Sequence, residues 1–289
     1  MALAFDDRIV EVSIEFPSGT RTYQSIGTTG LSIYATGQKF DAALSGDAEI
    51  RIFNLTQAEQ NFIISQTSPL QANRTLIPVL LNVGRKSYGT FTLFRGLIFR
   101  SGISQPPDIG VIMSCNVNYT LAGSTISDTH PATTFLSTIC ANIAANSGYV
   151  SNFLATDKQI SNYSYNGSLA YQVNQLNNMG GIIAFVDNNV LTVRNKGAAT
   201  NSVPRVISAA TGMVGIPTFT MNGITVTMMI DNSVNIGNII TIQSQQLPAA
   251  NGNYVVQKIV FDLASRDAQF YYTLICVPSN ISTIIGTEG

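Results

Sequence analysis

The strongest constraint on this chain is a period of two. Between Arg8 and Phe16, Val10, Val12, Ile14 and Phe16 alternate with Ile9, Glu11, Ser13 and Glu15. Successive side chains of a strand point to opposite faces of a sheet, so this pattern specifies a half-buried strand. The alternation returns over 47–54, where Ala48, Ile50 and Ile52 point one way and Glu49, Arg51 and Phe53 the other. Further strands are predicted over 31–40, 76–83, 89–99 and 108–119, then over 219–221, 224–230, 239–244, 253–262 and 270–278. Pro17-Ser-Gly-Thr20, Arg85-Lys86-Ser87, Ser104-Gln-Pro-Pro107, Asn222-Gly223, Ile236-Gly237-Asn238 and Asn251-Gly252 punctuate these runs with residues that favour turns. Many short strands with such punctuation imply small β-barrels or sandwiches.

Helical signals are few. Thr56 followed by Glu59 has the spacing of a capping box and predicts a short helix over 56–64. After Asp128-Thr-His-Pro-Ala132, Pro131 suits a first helical turn, and Phe135, Leu136, Ile139, Cys140 and Ile143 make one apolar face as far as Asn146, closed by Ser147-Gly148. An extended piece through Asn162-Tyr-Ser-Tyr165 follows. Ser168 caps a second helix carrying Leu169, Tyr171, Val173, Leu176 and Met179 and ending at Gly180-Gly181. Asp187-Asn188-Asn189 then joins Ile182–Val186 to Val190–Val193 as a tight hairpin. The chain is therefore expected to be mainly β with an α/β insertion: two small β-barrel or sandwich domains, 1–124 and 204–280, flank a two-helix plus hairpin domain, 125–203. A C-terminal tail, 281–289, is expected to fray or dock on a neighbour.

Composition narrows the function. The 289 residues suit more than one module. Charged residues make up only 11 %, against roughly a quarter in ordinary domains, while 45 % are hydrophobic and the net charge is −1. Disorder needs the opposite balance. Nucleic-acid affinity needs clustered Lys and Arg, so no specific nucleic-acid partner is expected. Mean hydropathy is +0.21, yet no apolar run approaches the roughly 18 to 20 residues of a membrane span, and no membrane anchoring is expected. Met1-Ala-Leu-Ala-Phe-Asp-Asp-Arg8 carries no secretory signal, which makes folding in a cytoplasm the expectation. Isolated domains keep a charged exterior, and this chain's shortage of charge predicts that much of its surface lies against other subunits.

The chemical inventory is thin. His130 is the only histidine; beside Pro131 it reads as a surface cap at a helix start. A triad would have to recruit it, and Cys140 falls on the apolar side of the following helix, a poor place for a thiolate. Cys115, Cys140 and Cys276 are odd in number and widely spaced, so they read as buried apolar residues, not a disulfide framework or zinc ligands. Asp6-Asp7, Asp41, Asp47, Glu49, Asp187, Asp231, Asp262 and Asp267 are mostly isolated at strand ends or turns, with no spacing that implies glycosidase acid/base work. Asp187-Asn188-Asn189 lacks the Gly and distal Glu of an EF-hand loop. Gly212-Met-Val-Gly215 and Gly180-Gly181 lack a phosphate-binding continuation. No catalytic, metal or cofactor-binding residues are assigned, and no cofactor is implied.

The order of modules resembles the baseplate hub proteins of tailed bacteriophages, the group that includes the hub part of type VI secretion spikes and of phage-tail-like bacteriocins. Three segments carry the likeness. Asp47-Ala-Glu-Ile-Arg-Ile-Phe-Asn-Leu-Thr56 entering a short helix, then Leu93-Phe-Arg-Gly-Leu-Ile98, is similar to the family's first barrel. The helix over 132–146, Asn162-Tyr-Ser-Tyr-Asn-Gly-Ser-Leu169, the second helix and the hairpin 182–194 resemble its α/β segment. Thr211-Gly-Met-Val-Gly-Ile-Pro217, Ile224-Thr-Val226, Ile236-Gly-Asn-Ile-Ile240 and Gly252-Asn-Tyr-Val-Val-Gln-Lys-Ile259 resemble the return to a second barrel.

The resemblance implies a structural, non-enzymatic virion protein of the tail baseplate, assembled in the host bacterial cytoplasm. Two barrels per subunit in a homotrimer would give six similar units. Such a ring adapts a sixfold tail tube to a threefold central spike and encloses an axial channel for the tape measure protein and, on ejection, DNA. The implied partners are a second and third copy, the central spike protein, a tail tube or distal tail protein and the tape measure protein, with baseplate wedge proteins as further neighbours. The sequence shows no appended needle or lysozyme domain, so the spike is expected to be a separate chain. Two alternatives stay open at this point: a tail-associated peptidoglycan hydrolase, and a β-rich receptor or carbohydrate-binding tail module, the latter weakened by the absence of Trp.

Overall fold

A computed structural model describes residues 7–27, 30–42, 46–68, 76–117, 125–221 and 223–279. Along the chain run β1 (Arg8–Phe16), β2 (Gly19–Gln24), β3 (Ser32–Phe40), β4 (Asp47–Phe53), α1 (Gln57–Thr67), β5 (Ile77–Arg85), β6 (Gly89–Ile103) and β7 (Gly110–Asn116). The middle holds β8 (Thr125–Thr129), β9 (Thr133–Phe135), α2 (Leu136–Ser147), β10 (Val150–Phe153), β11 (Gln159–Ser161), β12 (Ser164–Ser168), α3 (Leu169–Asn178), β13 (Ile182–Asp187) and β14 (Val190–Asn195). The last stretch holds β15 (Arg205–Ser208), β16 (Met213–Thr220), β17 (Gly223–Met229), β18 (Ile239–Gln243), β19 (Gly252–Ala264) and β20 (Phe270–Pro278).

The expected β class and its α/β insertion are present, but the outer strands form one continuous structure. Thirteen strands share a sheet ordered β16-β17-β20-β19-β3-β4-β7-β6-β5-β1-β2, with β15 and β18 attached beside β19. The link is β3, which pairs antiparallel with the second half of β19 from Lys258 opposite Phe40 to Ala264 opposite Tyr34. The barrels expected from the sequence are thus open curls joined along their edges; among the described residues no ladder closes either one. Turn chemistry and alternation specify each strand, but the partner that closes or extends a sheet is a long-range choice invisible to either signal.

One five-strand pathway occurs twice. In the N-terminal part the order is β3-β4-β7-β6-β5, and in the C-terminal part β16-β17-β20-β19-β18, with every neighbouring pair antiparallel. The two agree down to a bulge: β6 skips Phe99 after Ile98 faces Cys115, and β19 skips Gln257 after Val256 faces Cys276. A bulge bends its strand and raises local twist, so both long strands turn at the same place. The parts differ at the far end, where β1 runs antiparallel to β5 but β15 runs parallel to β18.

Alternation in the sequence becomes a shared core. Val10, Val12, Ile14, Ile33, Ile50, Ile52, Val111 and Met113 of the first part and Ile224, Val226, Ile240, Val256, Phe261 and Leu274 of the last belong to one buried cluster. Burying an aliphatic side chain of this kind contributes about 1.5–3 kcal/mol. Leu136, Ile139, Cys140 and Ile143 of α2 pack with Val173 and Leu176 of α3 and with Ala184, Val186, Leu191 and Val193 of the hairpin in a second cluster.

Several local expectations match the structure. Thr56 and Ser168 cap α1 and α3 by accepting hydrogen bonds from the N–H of Glu59 and Tyr171, both at 3.3 Å. Asn188 and Asn189 take the positive φ values of +46° and +68° that a tight hairpin requires. Three expectations are corrected. Helix α2 begins at Leu136, not at Pro131, because Thr133–Phe135 is a strand paired with Gln159–Ser161. Strand β16 covers Met213–Thr220, longer than the 219–221 expected, and β2, β8 and β15 add strands that short polar sequences did not reveal. The tail at 281–289 and the Asn222 position of one turn lie outside the described residues.

Candidate functional site

Several charged residues that looked isolated in the sequence, Asp41, Asp187 and Asp231 among them, are paired across the fold. Two ion pairs clamp the β13–β14 hairpin to the end of β3. Lys39 Nζ lies 2.7 Å from Asp187 Oδ1 and donates to the Leu93 carbonyl at 3.1 Å. Arg194 Nη2 lies 2.8 Å from Asp41 Oδ2, and its Nη1 donates to the Ala198 carbonyl at 2.5 Å. Both cationic side chains are buried. Burial pushes the Asp41 carboxyl above its ordinary range and the Arg194 guanidinium below its own, while their mutual attraction opposes both shifts. Asn188 Nδ2 adds a bond to the Thr92 carbonyl at 3.3 Å, and Phe185 of β13 reaches into the main core. The insertion is thereby held to the sheet by charge as well as by apolar contact.

A second group ties α1 to the β1–β2 hairpin. Arg21 Nη1 donates to both Glu59 oxygens at 2.7 and 2.8 Å, Tyr23 donates its hydroxyl proton to Glu59 Oε1 at 2.5 Å, and the Arg21 guanidinium stands 3.6 Å over the Phe62 ring. Burial alone would raise Glu59, but the bonds from Tyr23 and Arg21 outweigh it and hold its carboxyl below the ordinary range. Glu59 therefore serves β2 and not the reciprocal half of a capping box. Asp231 behaves alike: burial opposes, yet the Ser233 N–H and hydroxyl and the Arg205 guanidinium keep it low.

His130 is not a surface helix cap. Its side chain is 6 % exposed, with Nε2 3.1 Å from Asp128 Oδ1 and the ring edge-on to Tyr163 at 5.5 Å. Gln172 of α3 donates to the other Asp128 oxygen at 2.7 Å, so the group fastens β8 beneath the helix. Cys115, Cys140 and Cys276 are buried free thiols, as the sequence suggested. Burial, with the nearby Asp157 carboxylate, pushes the Cys140 thiol up to about 12, away from a reactive thiolate. Among the described residues no group of three His, Cys, Asp or Glu side chains could hold a metal ion. The carboxylates of Asp47, Glu49 and Asp267 engage Gln38, Arg51 and Tyr34 respectively, Asp7 accepts the Lys86 N–H on its backbone carbonyl, and Asp6 lies outside the described residues. An open cleft of about 600 Å³ is lined by Tyr34, Arg51, Phe53, Asp108 and Arg266; its two cations are already engaged, Arg51 by Glu49 and Arg266 by the Gly30 carbonyl.

The surface carries the more telling feature. Strand β16 is a terminal strand of the thirteen-stranded order and bears no charge from Met213 to Met221. Val214, Ile216 and Phe219 are exposed on it, and Met221 is exposed just past its end. Edge strands in isolated proteins are commonly protected by charges; this one has none, and carries only Pro217 and the irregularity between Val214 and Thr218. At the end of β6, Ile103 is a further exposed apolar residue. The sequence predicted covered, uncharged surface in general terms, but not these positions.

A family model described as baseplate hub gp41 matches residues 9–276. The chain belongs to the baseplate hub gp41 family. The match spans both copies of the five-strand pathway and the insertion between them. No curated protein sequence matches the chain. Among solved structures, the 43 kDa tail protein of prophage MuSo2 from Shewanella oneidensis aligns with a TM-score of 0.60 at 10 % identity, covering 93 % of this chain and 98 % of that one. A tail protein from Neisseria meningitidis MC58 aligns at 0.62 and 9 % identity, covering 93 % and 96 %. The E. coli c3393 protein, a component of a type VI secretion system, aligns at 0.58 and 11 % identity, covering 87 % and 74 %. At these identities the likeness is one of fold. Family membership makes this hub protein a structural component of a phage tail baseplate.

Proposed function

We propose that the protein is the homotrimeric ring of a tail baseplate, adapting the sixfold tail tube to a threefold central spike around an axial channel. The observation that carries this reading is the repeated pathway β3-β4-β7-β6-β5 and β16-β17-β20-β19-β18. Two similar units in each of three chains present six similar units to a tube and keep a threefold axis for a spike. The units lie within 1–124 and 204–280, and 125–203 is the α/β domain between them. Low charge and an uncharged edge strand support extensive subunit contact, since the centres of obligate interfaces are depleted of charge. In this reading the protein works by geometry and carries out no catalysis. Its partners are its own copies, the spike protein, the tube or distal tail protein and the tape measure protein, and it is assembled in the host cytoplasm. Native mass measurement of the purified chain, alone and with spike protein, is expected to give a trimer. A chain that stays monomeric in the presence of both tube and spike proteins overturns the proposal.

A further inference from the structure

The repeated pathway contains a junction used once inside the chain and left open a second time. Inside the chain, the terminal strand of the first unit, β3, lies against the second half of β19, just beyond its bulge. The equivalent of β3 in the second unit is β16, and the equivalent of β19 in the first is β6. Among the described residues β16 has no strand on its outer side, and β5 ends its pairing with β6 at Ile98, leaving no strand beside Arg100–Ile103 on that side. The Ser104 N–H donates to the Gly110 carbonyl. Backbone groups alternate in an antiparallel ladder, so those of Ser101 and Ile103 turn away from β7, toward the open side.

We infer that β16 of one copy pairs antiparallel with the end of β6 of the next copy, reproducing between subunits the β3–β19 junction found within each. This inference rests on the ring reading and supplies its strand-level contact. The ladders fix the register. The shared bulge equates Cys115 with Cys276, and Arg100 with Lys258 on the strands that carry it. Cys115 faces Ala48, which faces Gly37; Cys276 faces Ile224, which faces Phe219. Gly37 is therefore the counterpart of Phe219. Phe261, third after Lys258, faces Gly37 inside the chain, and its counterpart, third after Arg100, is Ile103.

Transferring that pair places Phe219 of one copy directly opposite Ile103 of the next, flanked by Thr218 opposite Ser104 and Thr220 opposite Gly102. The result matches the surface. Phe219 is 55 % exposed and Ile103 45 %, two apolar side chains that the transferred register brings onto one face of a shared ladder, where directly opposed pairs stabilise a sheet. In the internal junction the large member is Phe261 and its partner a glycine; between copies the large member is Phe219, on the other strand. The irregularity around Pro217 confines the equivalence to the last part of β16. Pairing two different edges is heterologous, and repetition about an axis closes a ring.

Cysteine cross-linking tests the register. The chain's own thiols are buried, and opposite residues in an antiparallel pair sit at a separation a disulfide can span. The full-length double variant F219C/I103C, assembled and then oxidised, is expected to form covalent dimers and trimers on a non-reducing gel, while I103C and F219C alone stay uncross-linked. A trimer that forms no cross-link in the double variant overturns the junction and leaves the ring reading standing. A dimer through F219C alone overturns it as well, since that is a symmetric contact of β16 with itself. Wild-type protein that remains monomeric with spike and tube proteins overturns the junction and the ring together. A charge swap gives a second measurement: F219D is expected to lose assembly and F219D/I103R to regain it in light scattering, and failure of the rescue in a folded double variant counts against the register.

Discussion

At the scale of single residues, charge is scarce and each buried charge is committed. Arg194 is among the largest fully buried side chains of the described residues, and its partner Asp41 lies 153 residues earlier in the chain. Arg194→Ala would leave an uncompensated buried carboxyl and is expected to lower unfolding free energy by about 3–5 kcal/mol in urea titrations. Replacing both members with apolar residues, Asp41→Val with Arg194→Met, is expected to recover most of that loss, because the desolvation cost of the pair disappears with it. Glu59 and Asp231 bind protons less readily when folded than their ordinary values of 4.5 and 3.8 imply. Their contribution is therefore complete above those values and fades as pH falls through the lower folded ones. Glu59→Gln and Asp231→Asn should each be less stable than wild type at pH 7, with the difference closing below about pH 4. None of these partnerships was legible in the sequence, where Asp41, Asp187 and Asp231 stand alone at strand ends.

At the scale of elements, signals confined to a few neighbouring residues predicted well. Thr56 and Ser168 each satisfy a free N–H in the first turn of a helix, and Thr56→Ala or Ser168→Ala is expected to cost about 1 kcal/mol each in chemical denaturation. The start of α2 went astray for a tertiary reason. Pro131 is compatible with a first helical turn, but Thr133–Phe135 gains backbone partners in Gln159–Ser161, and that distant strand wins over a local preference. Gly37 shows the same dependence. A Cβ there would stand 2.4 Å from both the Phe261 ring and the Asp47 carbonyl oxygen, because β3 is squeezed between β4 and β19. Gly37→Ala is expected to cost about 1–3 kcal/mol and to lower the thermal midpoint, through the joint between the two units.

At the scale of the whole molecule, a sheet of thirteen strands ends in edges that isolated proteins usually protect. The uncharged stretch from Met213 to Met221 is poor protection for a monomer and good material for an interface. Ile216 is exposed on it, and Ile216→Asp is expected to leave the circular dichroism spectrum and unfolding midpoint of the monomer nearly unchanged while reducing the proposed trimer in light scattering. Undiminished assembly would place the contact elsewhere. The insertion is tied to the sheet at two points, Lys39–Asp187 and Asp41–Arg194, pairs that bring together residues well over a hundred positions apart in the chain.

The sequence by itself determined the mainly β class, the faces of most strands, two helix caps, the hairpin at Asn188-Asn189 and the burial of three cysteines. Each follows from contacts within a few residues or from a short periodicity, and such physics survives in any arrangement of the chain. Only the tertiary structure decided that the two barrels are open and share a ladder, that lone carboxylates meet buried cations, and that one five-strand pathway is repeated with its bulge. Those outcomes depend on which distant edges and charges meet. That is settled by the free energy of packing the whole sheet, and no local preference encodes it.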